Sequence, residues 1–183
     1  MNSSETDRNQ SLKEMLNSKS TQERIRALQN IIIQMSLGTN MSGIFQEVIK
    51  CLSMPSLKVK KLIYLYIINN SQKSPDDALM IINQFCRDAR SKNPFVRALA
   101  IRTMGYLRVG KLNEYLIDAL VEGLGDESEY VQKTAINCVA KVNEKSSELI
   151  KARKVEQLLM GLVEEGSWNV RASSLLALRD LNI

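Results

Sequence analysis

A branched aliphatic residue recurs along this chain at Ile25, Val59, Val96, Val131 and Val170, at intervals of 34, 37, 35 and 39 residues. Each heads a similar stripe. From Val96, apolar or small residues follow at Leu99, Ala100, Thr103, Met104 and Leu107. These offsets trace one face of an α-helix, where side chains return to the same side every three or four residues. Val131 repeats them with Thr134, Ala135, Cys138, Val139 and Val142, and Val170 with Ser173, Ser174, Ala177, Leu178 and Leu181. Val59 gives Leu62, Ile63, Tyr66 and Ile67 before Asn70 breaks the pattern, and Ile25 gives Leu28, Gln29, Ile32, Ile33 and Ser36. A near-constant period of this size marks an α-solenoid.

Each period also holds an earlier helix, at 41–52, 75–89, 112–124 and 154–165. Ser74 reads as a cap and Pro75 as the first helical residue. Asp76 and Asp77 suit the positive helix N-terminus. Asn40 or Ser42 reads as a further cap, and Ser11–Glu14 and Ser20–Glu23 have capping-box spacing. One helix pair buries too little surface to stand alone, so the stripes need stacked neighbours. The expected fold is all-α: a solenoid of HEAT or armadillo-like helix pairs, with about five repeats. Residues 1–10 read as a flexible N-terminus and residues 11–183 as one solenoid domain. The apolar helix 170–183 has no polar capping repeat after it, which reads as either a fragment or the shortened front of a longer solenoid.

Composition removes most chemistry. Apolar residues make up 44% of the 183, enough for a core, and only three prolines and eight glycines interrupt it. Histidine is absent, and Cys51, Cys86 and Cys138 lie far apart in apolar surroundings. Metal sites, disulfides and histidine-based catalysis are therefore not expected, and no cofactor motif appears. Asp126, Glu127 and Glu129 read as a solvated turn. No signal peptide and no membrane-spanning run are present in this sequence. The net charge of +5 is spread among acids, which is weak support for nucleic acid and compatible with an anionic membrane surface.

Three features remain as candidates. Trp168 reads as a packing staple between repeats, or as an interface anchor. Arg26, Lys60, Arg97 and Arg171 follow four of the five anchors. They form either a phosphate-binding column or a set of inter-repeat hydrogen bonds. The helix 75–89 carries two apolar stripes, Ala78, Ile81, Phe85 and Ala89 beside Leu79, Ile82 and Cys86. A second stripe serves neighbouring helices, or remains exposed for docking.

The strings KKLIYLYIIN, PDDALMIINQFCRD, NPFVRALAIRTMGYLRV and YVQKTAINCVAKV, in this order, resemble the N-terminal trunk of beta-adaptins. These are large subunits of clathrin-type adaptor complexes. The likeness runs from about residue 11 to 183. It implies a right-handed superhelical trunk, assembly with another large, a medium and a small subunit, and a peripheral place on coated vesicles at Golgi, endosomal or plasma membranes. It also implies docking of a GTP-bound Arf-family small GTPase. Matched position by position, Leu79 and Ile82 are the contact residues, on a stripe expected to be exposed. Family members at the plasma membrane use lysines near the N-terminus for phosphoinositide. The matching segment here holds only Lys19, Arg24 and Arg26. The resemblance thus points to a non-enzymatic coat scaffold. The alternative on composition is a basic repeat module for nucleic acid or another soluble protein.

Overall fold

The four stripes that start at Val59, Val96, Val131 and Val170 each lie on a helix that buries most of them. The computed structural model describes residues 3–71, 80–107 and 113–182, and the described residues form α-helices and short 3-10 turns, with no strand among them. They group into two compact units, Met1–Ile81 and Ile82–Ile183.

The first unit contains α1 (Ser3–Asn17), α2 (Thr21–Ser36), α3 (Phe45–Lys50) and α4 (Leu57–Asn70). The helix expected at 41–52 is broken: only α3 is α-helical, between 3-10 turns at Ser42–Ile44 and Cys51–Ser53. Ahead of it the Asn40 side chain accepts a hydrogen bond from the Ser42 amide (3.2 Å). Tyr66 of α4 locks this bend by donating its hydroxyl to the Met41 carbonyl (2.6 Å), with its ring 5.8 Å from that of Phe45. Asn70, which interrupts the stripe in sequence, is nonetheless buried and donates to the Tyr66 carbonyl (3.0 Å). Helix α1 already begins at Ser3, within the segment read as a flexible N-terminus, and Arg8 reaches Gln34 of α2 (3.1 Å). Ser11 is therefore inside a helix and caps nothing.

The second unit contains α5 (Ile82–Ala89), α6 (Pro94–Tyr106), α7 (Asn113–Leu124), α8 (Glu129–Ala152), α9 (Val155–Glu165) and α10 (Trp168–Asp180). Helices α5, α7 and α9 form one row and α6, α8 and α10 the other, each packing on its neighbours. Such two-layer stacking buries stripes from both rows. Gly123 of α7 marks the tightest approach: a Cβ there would come within 2.7 Å of Ile101 and 3.1 Å of Ala135.

The caps fix the true register of the repeat. Ser20, Ser56, Asn93, Ser128 and Ser167 precede α2, α4, α6, α8 and α10. Three residues after each cap stand Glu23, Val59, Val96, Val131 and Val170, and four after it Arg24, Lys60, Arg97, Gln132 and Arg171. The first repeat thus aligns on Glu23 rather than Ile25, and Arg24 replaces Arg26 in the basic column. The correction has a physical cause. The buried positions of α2 are Ala27, Leu28 and Ile31, and Ile25 is only half-buried.

In α2, α4 and α6 that fourth position closes the repeat. Helical side chains tilt toward the N-terminus, so a long cation there reaches back over the preceding loop. Arg24 Nε donates to the Ser18 carbonyl (2.7 Å), and Lys60 Nζ to that of Leu52 (3.2 Å). Arg97 does more. Its Nη1 donates to the carbonyls of Ser91 (2.8 Å) and Lys92 (3.2 Å). Nε and Nη2 grip both oxygens of Asp126 in the next repeat's loop at 2.7 and 2.8 Å. The planar guanidinium suits this fork, which Lys cannot reproduce. Asp126 also accepts from the Ser128 amide (2.8 Å). It is therefore not the solvated turn residue that the sequence suggests, whereas Glu127 and Glu129 are exposed. Burial alone would raise the Asp126 carboxyl; the Arg97 guanidinium and Ser128 amide outweigh it and hold it below the ordinary 3.8.

Helix α8 runs far past the Val142 end of its stripe, with one non-helical residue at Ser146 (φ −153°, ψ 57°). Side chains at this break hold α6 and the start of α7. Lys145 Nζ donates to the carbonyls of Gly105 (2.7 Å) and Leu107 (3.1 Å), satisfying the C-terminus of α6. Asn113 Nδ2 donates to Ser146 Oγ (2.7 Å).

These details carry three stability predictions. Arg97→Met leaves a largely buried carboxylate and two carbonyls without their donor, so the unfolding free energy in urea should drop by about 3 kcal/mol; a drop under 1 kcal/mol would mean that the clamp carries little. Asp126 contributes fully above its ordinary value of 3.8 and loses its effect as pH falls through its lower folded value. The stability gap between the native chain and Asp126→Asn should therefore close below that pH. Ser174 has a buried hydroxyl with no hydrogen-bond partner, at the register where α6 and α8 carry Ala100 and Ala135. Ser174→Ala should stabilise by about 1 kcal/mol, and a measured loss would contradict this account.

Candidate interaction surfaces

The sequence singles out Leu79 and Ile82. Leu79, with Ser74, Pro75 and Ala78, lies outside the described residues. Ile82 opens α5 and is 9% exposed, so at this position the expected open stripe is instead a buried one. Ile81 and Phe85 are buried as well, and Cys86 is half-buried. A helix in a stacked row meets its pair on one side and its row neighbours on another, so Ile82 and Phe85, one from each stripe, are both buried. Met80 is the apolar residue here that faces solvent, 64% exposed, with Gln46 3.8 Å from its sulfur.

The basic column is not a phosphate stripe. Arg24, Lys60 and Arg97 are committed to backbone carbonyls and Asp126, Gln132 is half-buried, and Arg171 alone of the column is exposed. Nor is Trp168 a staple. It is the first residue of α10, after the Ser167 cap, and stands 82% exposed. At the first turn of a helix its ring points away from the buried Val170, Ser174 and Ala177 face.

A different surface emerges on the outer sides of α6 and α8. Phe95 and Tyr130 are both about half exposed and pair with ring centroids 5.3 Å apart, inclined at 58°. Near the other end of α6, Lys141 Nζ lies 3.4 Å from the centroid of the half-exposed Tyr106. Between these contacts the same stripes carry Arg102, exposed, and Lys133, half-buried. The signal was present in the sequence: Phe95 and Tyr130 stand two residues after their caps, and Tyr106 and Lys141 thirteen. It becomes visible once caps rather than apolar anchors set the register.

Chemical reactivity is muted. Burial raises the thiols of Cys51, Cys86 and Cys138 above their ordinary value, that of Cys138 to about 11 against the opposing pull of Lys141, Arg102 and Lys145. All three are free thiols that stay protonated at neutral pH. A groove of about 330 Å³ between α5 and α7 holds Cys86, Arg90, Asp118 and Glu122. Its charges are spent, however: Arg90 pairs with Glu122 (Nε at 3.0 Å) and Asp118 with Arg153 (2.6 Å). Among the described residues no cluster of ligands suits a metal ion, and no helix is long and apolar enough to cross a membrane.

Comparison with known proteins places this architecture. A computationally designed armadillo repeat protein for modular peptide recognition superimposes with a TM-score of 0.67, covering 92% of this chain and 80% of its own, at 20% identity. That likeness establishes the α-solenoid fold. In sequence, the AP-1 complex subunit beta-1 of Mus musculus is 38% identical over 170 residues, 93% of this chain and 18% of that protein. The AP-1 complex subunit beta of Dictyostelium discoideum is 36% identical over 171 residues, again 93% of this chain and 18% of that protein. The chain thus spans about a fifth of the length of these relatives. A family model described as the adaptin N terminal region matches residues 4–182. The chain belongs to the adaptin N-terminal region family, with its likeness on the side of the beta subunits.

Proposed function

We propose that this chain is a non-catalytic scaffold segment of a vesicle-coat adaptor complex, acting in intracellular protein transport on the cytoplasmic side of Golgi, endosomal or plasma membranes. The observation that carries the reading is the family match over residues 4–182 together with 38% identity to an AP-1 beta subunit. The construction of the repeats supports it. Polar side chains are used to hold helix pairs in register, and the reactive groups are buried or paired, as a scaffold requires. Its partners in this reading are the other adaptor subunits: a second large subunit, a medium and a small one.

The finer part of the proposal concerns a GTP-bound Arf-family small GTPase, docking on the stretch that holds Leu79 and Ile82. The exposed Met80 between them in sequence supports an apolar contact there. Nucleic acid is not a partner in this reading, since Arg24, Lys60 and Arg97 of the basic column are consumed internally.

The test is pull-down of the full chain with such a GTPase loaded with a non-hydrolysable GTP analogue or with GDP. Binding should require the GTP form, and Leu79→Asp should reduce it at least tenfold with helicity unchanged. Ile82→Val is the control for the buried neighbour and should retain binding. Equal binding of both nucleotide forms, or no effect of Leu79→Asp, would sink the docking proposal. Failure of the other subunits to co-purify with the chain would sink the scaffold reading separately.

A further inference from the structure

We propose that the outer face of α6 and α8 is a docking site for an extended acidic peptide segment. The face is framed by the Phe95–Tyr130 pair at one end and the Tyr106–Lys141 contact at the other. Arg102 and Lys133 lie between, so the framed stripes carry three cations and no carboxylate. The first acid along the α8 stripe is Glu144, one turn past Lys141. Helix α6 has no acidic residue at all. Exposed aromatic rings beside unopposed cations are what a partner with carboxylates and interspersed apolar side chains would match.

The size fits a short strand. Eleven helical residues separate Phe95 from Tyr106, a rise of about 16 Å, the length of roughly five extended residues. Apolar side chains of such a segment would lie against the rings at the two ends. Its carboxylates would meet Arg102 and Lys133 and share Lys141 with the Tyr106 ring.

Two other basic-surface ligands fit less well. Single-stranded nucleic acid needs open ring faces on which bases stack. Here Phe95 and Tyr130 are inclined toward each other, and Lys141 covers the Tyr106 ring. An anionic bilayer is contacted best by cations that project beyond their surroundings. Lys133 and Lys141 are half-buried.

The experiment is fluorescence anisotropy with the full chain and a labelled short peptide of glutamates and leucines. A basic peptide of equal length, a single-stranded RNA homopolymer and phosphatidylserine vesicles are run in parallel. Saturable one-to-one binding of the acidic peptide is expected. Arg102→Glu with Lys133→Glu should weaken it at least tenfold, and Tyr106→Ala several-fold. Arg171→Glu with Arg179→Glu makes the same change in net charge on α10 and should alter it less than twofold. Circular dichroism confirms the fold of each variant, which only exposed or half-exposed residues enter. Equal losses from both charge reversals, preference for RNA or vesicles, or no binding of the acidic peptide would each overturn the proposal.

Discussion

Each helix pair in this chain has an apolar seam that it cannot cover by itself. Residues such as Ile101 and Ile136 are buried because another helix of the same kind lies alongside. The fold therefore depends on keeping successive pairs in register, and nonpolar contact alone is poor at that, being without direction. In α2, α4 and α6 direction is supplied by the residue four places after the cap. In α6 it joins one repeat's loop to the next through a forked guanidinium, a contact that tolerates little sliding.

That division of labour decides what remains for partners. Of the cations that sequence alone would offer to a phosphate, Lys60 and Arg97 are consumed in holding the array. The acids in the α5–α7 groove are likewise paired within the chain. Among what is left outside are Met80, the Phe95–Tyr130 pair, Tyr106 and Trp168.

Much of the architecture was legible from periodicity, because a stripe such as Val131 to Val142 has only one way to be buried. The family was legible from ordered strings in the middle of the chain. Register in the first repeat was not, because Ile25 competes with Glu23 and only the Ser20 cap decides between them. Trp168 and Ile82 were misread for a related reason. Residue type sets the tendency to be buried, but position on the helix face decides exposure. Asp126 looked like an ordinary loop acid because its partner, Arg97, is 29 residues away in sequence.

The stretch between the anchors Val131 and Val170 is the longest of the repeats, at 39 residues. The extra length is not slack. It continues as α8 beyond Val142, with the bend at Ser146 held by Asn113 and the adjacent Lys145 tied to α6. Proteases cut chain that can be drawn out into their clefts, which is why exposed loops are their usual targets. By taking up its additional residues as tethered helix, this repeat grows without adding a segment that a protease could readily nick.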